Sequence, residues 1–185
     1  MASRYTPTVA KRGYNRDTIR GGASDWDVSR PFSSYLRLLA QLLVHPVRFF
    51  EVLPRVPDLR APGLFLAFSG LLSAPIWLIF DGIIPAIFAL VLPLPLSFAI
   101  AGLCHAGTIG GRYGYRVTWR TVAYPLGFAL PLAGVPGLRW VAVAYAGIVL
   151  LPVGLATVRE ISTVRAAPVP VIVTALLLFC LWWFL

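Results

Sequence analysis

The chain has 185 residues, 58% apolar and 12% charged, with a formal net charge of +9; a soluble domain carries about 25% charged residues. Residues 1–60 hold fifteen of the twenty-three charged side chains, ten basic and five acidic, so residues 61–185 have only eight. That excludes a water-facing surface for the second part, and lipid is its natural solvent.

Residues 1–31 mix Gly, Ser, Thr, Arg and Asp without an apolar period and read as a disordered, basic cytoplasmic tail. No apolar h-region lies near Met1, so no cleavable signal peptide is expected. The first hydrophobic span then serves as the insertion signal. Lys11 is the only lysine, a bias that fits a GC-rich prokaryotic genome better than a chemical need.

Residues 32–60 carry apolar side chains three or four apart at Phe32, Tyr35, Leu36, Leu39, Leu42, Leu43, Val47, Phe50 and Leu53. Arg37, Gln41, His45, Arg48 and Arg55 follow the same spacing on the other side. This pattern predicts an amphipathic helix lying in the membrane interface. Pro46 divides it into residues 34–44 and 46–53, and opens the second piece where its missing N–H costs little.

A helix needs roughly 20 apolar residues to cross a hydrocarbon core. Five spans are expected, over residues 62–80, 83–106, 118–134, 138–158 and 168–185, which gives an all-α, polytopic helix bundle over residues 61–185. Asp81 and Gly82 form a tight hairpin between the first two, with Asp81 capping the following helix. Leu92-Pro-Leu-Pro-Leu96 should break the second span near its middle. Cytoplasmic placement of the N-terminus puts fifteen basic residues on the inner segments and only Arg139 on the outer ones, as the positive-inside rule requires. The C-terminus is then outside, in what reads as a prokaryotic plasma membrane. Cys104 and Cys180 fall at opposite leaflets, beyond the ~7 Å Cα limit for a disulfide, and two thiols are too few for a zinc site.

Catalysis needs titratable groups brought together, and no Asp, Glu, Lys, Arg or His falls at mid-depth of a span. This argues against a proton-driven pump or a charged pore, but leaves room for a carrier of a lipid or small neutral solute. Ser69, Ser73 and Ser97 have no histidine at their depth and are expected to bond back to helix carbonyls. An enzyme acting on lipid at the cytoplasmic surface would need His45, His105 and an acid such as Glu51 or Asp58 to converge. No cofactor, metal or nucleic acid is implied. Residues 107–116, GTIGGRYGYR, form a glycine-rich turn at headgroup level, without the strand and spacing of a phosphate-binding loop. Arg112, Arg116 and Arg120 recur every four residues, and a helix would align them toward lipid phosphates or an acidic partner.

Several segments together resemble the Yip-one family of membrane proteins, whose eukaryotic members interact with Rab GTPases. Pro46-Val-Arg-Phe-Phe50, with Arg48 inside it, resembles the family's P-x-x-F-F. Gly110-Gly111, Tyr115, Thr118, Arg120 and Ala123-Tyr124 resemble its G-G-x-x-x-[FY]-x-x-T-x-R-x-x-A-Y. Leu130-Pro131 is similar to its following I-P, and Val153-Gly154-Leu155 before Arg159-Glu160 to its fourth-span end. The resemblance implies five spans with a cytoplasmic N-terminus. The resulting expectation is a non-enzymatic scaffold, assembly factor or accessory subunit. It would contact membrane lipids, other membrane proteins or a second copy of itself through Arg48, Gly110, Gly111, Arg112, Tyr115, Arg116, Arg120, Tyr124 and Arg159. The alternative is a carrier or channel, suggested by the proline-broken second span.

Overall fold

The computed structural model describes residues 26–184 apart from Val28, Val56, Pro57 and Arg112. The expected tail therefore lies outside the described residues up to position 25, and so does the candidate contact Arg112. Among the described residues the secondary structure is helical throughout, without strands.

Chain order begins one step before the expected interfacial helix. Trp26 is buried, its ring edge-on to Phe68 at 5.6 Å and to Phe65 at 6.4 Å. The Ser29 hydroxyl and N–H both donate to the Asp27 carboxylate (2.7 and 2.9 Å), which holds that exposed group below the usual carboxylate range. Helix α1 (Pro31–Val44) starts at a proline whose φ is already helical, and α2 (Pro46–Val52) starts at another. His45 is the expected break. α1 has three sides. Ser34, Tyr35, Leu38 and Leu42 are buried in the bundle, Phe32, Leu36 and Leu43 stay exposed, and Ser33, Arg37 and Gln41 form the polar side. The broad apolar arc is thus shared between protein and surroundings.

Asp58 Oδ1 accepts the Arg60 N–H at 2.9 Å and so starts α3 (Arg60–Phe80). The chain turns at Asp81 and at Gly82 (φ +93°) into α4 (Ile83–Val91). At Leu92 it bends by 55° into α5 (Pro93–Gly107). Pro93 and Pro95 remove two backbone donors there, which releases the helix to bend where the sequence pattern placed the break. α6 (Tyr115–Ala133) follows the glycine turn, and α7 runs over Arg139–Arg159 with a π-helical turn at Tyr145–Leu150. A short α8 (Thr163–Ala166) leads into α9 (Pro168–Phe184).

The five-span count is not met by the helices taken singly. By length and composition α3 and α7 are long and apolar enough to cross a membrane, and the bent α4–α5 pair makes a third. α6 falls short because Arg116, Thr118, Arg120 and Thr121 dilute its first half, and α9 falls short at 17 residues.

The reason α6 tolerates such residues is its position. It packs against α3, α5 and α7, and Val117 through Pro125 are all buried. Lipid does not force a helix to be apolar where protein covers it. On one side of α6 stands an aromatic cluster: Tyr124 meets Phe49 at 5.1 Å and Phe65 at 5.3 Å, and Phe65 meets Tyr35 at 5.2 Å. On the other side Trp119 stacks on Phe98 at 4.7 Å and donates from Nε1 to Ser97 Oγ at 2.8 Å. Each such ring pair contributes about 0.5–1.5 kcal/mol beyond its area. That matters here, because apolar burial alone does not drive helices together in lipid. Ser69, Ser73 and Ser97 bond back to Phe65, Gly70 and Leu94 carbonyls, as expected.

Candidate functional site

Two polar clusters close the ends of the bundle, and an apolar cavity lies between them. At one end Arg159, the last residue of α7, is 2% exposed. Its Nη1 lies 2.6 Å from His105 Nδ1 and donates to Thr118 Oγ1 at 2.7 Å, and Nη2 donates to the Thr108 carbonyl at 2.8 Å. A guanidinium has only donors, so His105 Nδ1 accepts and the ring carries its proton on Nε2. Four segments meet at this cation: the end of α5, the turn, the start of α6 and the end of α7.

The double glycine of the turn has a separate reason at each position. Gly110 sits at φ +91°, a conformation that side chains rarely adopt. A Cβ on Gly111 would lie 2.6 Å from Arg159 Nε, so Gly111 makes room for the buried guanidinium. Next to this cluster Arg55 Nη1 pairs with Glu160 Oε1 at 2.9 Å, donates to Tyr113 Oη at 3.3 Å, and lies over the Tyr113 ring. Tyr113 and Glu160 are the non-glycine residues with positive φ among those described. Arg55 therefore ties together both strained positions.

At the opposite end the Arg139 guanidinium pairs with the Asp81 carboxylate, donates from Nε to the Ala133 carbonyl at 2.9 Å, and lies 4.8 Å from the Trp77 ring centre. Asp81 does not cap α4 with its side chain; Gly82 occupies the cap position. A carboxylate at the end of an apolar hairpin is better served by a cation than by one backbone N–H.

The cavity encloses about 660 Å³, within the range of about 300–1,000 Å³ usual for ligand pockets. α6 supplies its floor through Val122, Leu126 and Ala129, α4 and α5 one wall, and α7 and α9 the other. It extends from Trp77 at the Asp81 end to Pro93 at the helix break and on to Ile100. Ile84, Phe88, Leu92 and Cys180 both line it and stand exposed, and so mark the side on which it opens. At its far wall α7 and α9 approach so closely that a Cβ on Gly147 would lie 1.7 Å from Thr174 Oγ1. That contact falls in the π turn of α7.

The residues expected to form one contact face are divided by the structure. Arg48, Gly110 and Arg116 are exposed, and Gly111 and Tyr115 are half-buried. Tyr115 donates its hydroxyl to the Phe98 carbonyl at 2.8 Å. Arg120, Tyr124 and Arg159 are inside the bundle, at 2%, 0% and 2% exposure. Arg116 and Arg120 thus do not present a shared surface, because the neighbours of α6 close over it within one turn. His105 meets Arg159 and Thr118, while His45 is exposed at the α1–α2 break and Asp58 is engaged at the start of α3. The constellation that surface catalysis would need is not assembled. Among the described residues no three His, Cys, Asp or Glu side chains gather as metal ligands. Cys104 is buried beside the Arg159 end, and Cys180 is exposed toward the Asp81 end; both are free thiols.

Trp77, the pairing of Arg139 with Asp81, and the cavity lining beyond the Leu92–Leu96 break were not singled out from sequence. The signal available was parity: Asp81 and Arg139 are the sole charges of the expected outer segments, one of each sign. No protein-family model, curated protein or solved structure matches the chain.

Proposed function

We propose that this chain is a polytopic protein of the prokaryotic plasma membrane that holds the apolar chain of a membrane lipid, as a carrier or a lipid-binding subunit, without chemistry of its own. The observation that carries it is the cavity of about 660 Å³ reaching the Pro93 break, with a lining apart from Trp77, Thr174 and Cys180 wholly of Ala, Gly, Pro, Val, Leu, Ile and Phe. The Thr174 hydroxyl is already bonded to the Pro170 carbonyl at 2.7 Å. Such walls suit a hydrocarbon tail and disfavour a small polar solute, whose groups would stay unpaired.

The same proposal includes five crossings, made by α3, the α4–α5 pair, α6, α7 and α9, with the N-terminus cytoplasmic. α6 crosses inside a sheath of protein. α9, about 25 Å long at ~1.5 Å per residue, crosses with local thinning of the bilayer. The likeness to the Yip-one family belongs to this proposal too.

The test is native mass spectrometry of the protein released from mild detergent. The wild type is expected to retain a lipid-sized adduct, and Ala129→Phe and Val173→Phe, which fill the floor and one wall, to lose it. Equal retention in the filled variants would refute the cavity as the binding place.

A second reading is favoured by the outward apolar side of α1 and α2, where Phe32, Leu36, Leu43, Val47 and Val52 are about half exposed or more. It makes the chain an accessory subunit that contacts other membrane proteins or its own copy there. Crosslinking in membranes from Leu36→Cys checks it; a chain that always runs alone would rule it out.

A further inference from the structure

The lining of the cavity also shows its entrance. α4 contributes two rows of residues four apart. Pro85 and Ala89 form the inner row, and Ile84, Phe88 and Leu92, which are 48–65% exposed, form the outer one. On α9 the facing edge is Leu177, half-buried, and Cys180, exposed, with Thr174 buried behind them. The two edges are the lips of a slot between α4 and α9.

The bend at Leu92 makes the slot. Beyond it α5 packs on α9 so closely that a Cβ on Gly107 would lie 2.2 Å from Val169 Cγ2. Val169 and Val173 of α9 share a core there with Ile100, Ala101 and Cys104 of α5. Before the bend α4 swings away by 55° and packs on α3, where a Cβ on Gly70 would lie 3.0 Å from the Ala89 carbonyl oxygen. The α5–α9 half of the wall is closed, and the α4–α9 half is open.

The slot does not face water. At the Asp81 end Leu181 packs into the core of Trp77, Ala86, Ala89 and Ala133, and Arg139, paired with Asp81, lies over Trp77. From Ile84 to Leu92 the opening runs about 12 Å, at a helical rise of ~1.5 Å per residue. One leaflet, half of a hydrocarbon core of ~30 Å, is about 15 Å deep. The slot thus matches a single leaflet.

Resting on the lipid-binding reading above, we infer that the cavity is loaded sideways from one leaflet, that of the Asp81 end, by a hydrocarbon chain passing between α4 and α9. A tail crosses apolar lips without leaving hydrocarbon, and its headgroup keeps its hydration at the level of the Asp81 turn. The ligand is a lipid resident in that leaflet.

The test uses phosphatidylcholine with a diazirine midway along one chain, exchanged into the outer leaflet of vesicles that each hold a single full chain. Gly137, in the turn at the Asp81 end, and Gly114, in the turn at the Arg159 end, are exposed with open space around a Cβ. Gly137→Cys and Gly114→Cys therefore give handles for a charged biotin maleimide, and capture on each sorts the vesicles by the end that faces outward. After a flash, labelling of Val122, Leu126 and Ala129 on the cavity floor is expected in vesicles captured through Gly137→Cys and lost in those captured through Gly114→Cys. Floor labelling that is equal in both, or stronger through Gly114→Cys, overturns the single-leaflet route. Its absence from both, while the native protein keeps its lipid adduct, overturns sideways loading and leaves the lipid-binding reading standing; loss of the adduct as well overturns both. In wild type, pyrene maleimide on Cys180 should abolish floor labelling, and labelling that persists puts the entrance elsewhere than between α4 and α9.

Discussion

Arg159 Nη1 stands 2.6 Å from His105 Nδ1, a contact between the end of α7 and the end of α5 in which an always-charged group is answered by neutral acceptors. Its other bonds go to a threonine hydroxyl and a carbonyl. The planar fork of arginine, with several donors in fixed directions, suits this set better than the single ammonium of lysine. Arg159→Leu removes a charged donor from all three acceptors, leaving the Thr108 carbonyl with only the Gly111 N–H and the Thr118 hydroxyl with only His105 Nδ1, and should destabilise the protein by about 2–4 kcal/mol, with Arg159→Lys recovering less than half. Thermal unfolding in detergent reads both; a lysine variant as stable as wild type would mean that the fork geometry is irrelevant.

Gly111 gives a coupled prediction. Gly111→Ala forces Arg159 Nε aside and should cost about 1–3 kcal/mol in the wild-type background. In Arg159→Leu the same change should cost much less, because the atom it collides with is gone. A double-mutant cycle measures this coupling. Additive effects would show that the close approach is not what requires glycine there. Gly110→Ala serves as the control: its cost of about 1 kcal/mol comes from backbone conformation and should persist in both backgrounds.

The Asp81–Arg139 pair has side chains only 14% and 7% exposed. Removing one partner leaves a charge in a poorly solvating place, so Asp81→Ala should destabilise by about 3–5 kcal/mol. Asp81→Ala with Arg139→Met should be milder than Asp81→Ala alone, since no unpaired charge remains. A double variant worse than the single would contradict this account.

Cys104 and Cys180 make the packing measurable by mass. Cys104 is buried and Cys180 exposed at the cavity edge. Native protein should add one N-ethylmaleimide per chain, at Cys180, and a second only after denaturation in SDS. A hydrocarbon chain filling the cavity should slow the native reaction. Rapid double labelling of the native protein would show that the α5–α6 packing around Cys104 is open.

Helix positions were legible because periodicity and proline are local signals. Each expected span begins and ends within three residues of its helix, and Pro46 and Pro93 mark breaks where they were expected. What escaped was tertiary. The spacing of Arg116 and Arg120 correctly reports a helix, but whether the second arginine faces lipid, water or protein depends on how soon neighbours close around α6. Asp81 followed by glycine carries a good capping signal, and the partner that overrode it lies 58 residues away. Trp26 sits in a stretch with no apolar period, and only the Phe65–Phe68 surface of α3 explains its burial. The cavity is the least legible feature, since it is made of gaps between ordinary apolar residues on six helices.

In the proposed five-crossing topology, α6 cannot wait in hydrocarbon by itself. With Thr118, Arg120 and Thr121 in its first turns it becomes acceptable to the membrane only after α3, α5 and α7 surround it. A growing polypeptide that has made α6 but not yet α7 therefore holds an orphan segment, and biogenesis must shelter it until Arg159 arrives. Its assembly in the cell is thus a single concerted event involving α3, α5, α6 and α7, not a helix-by-helix insertion.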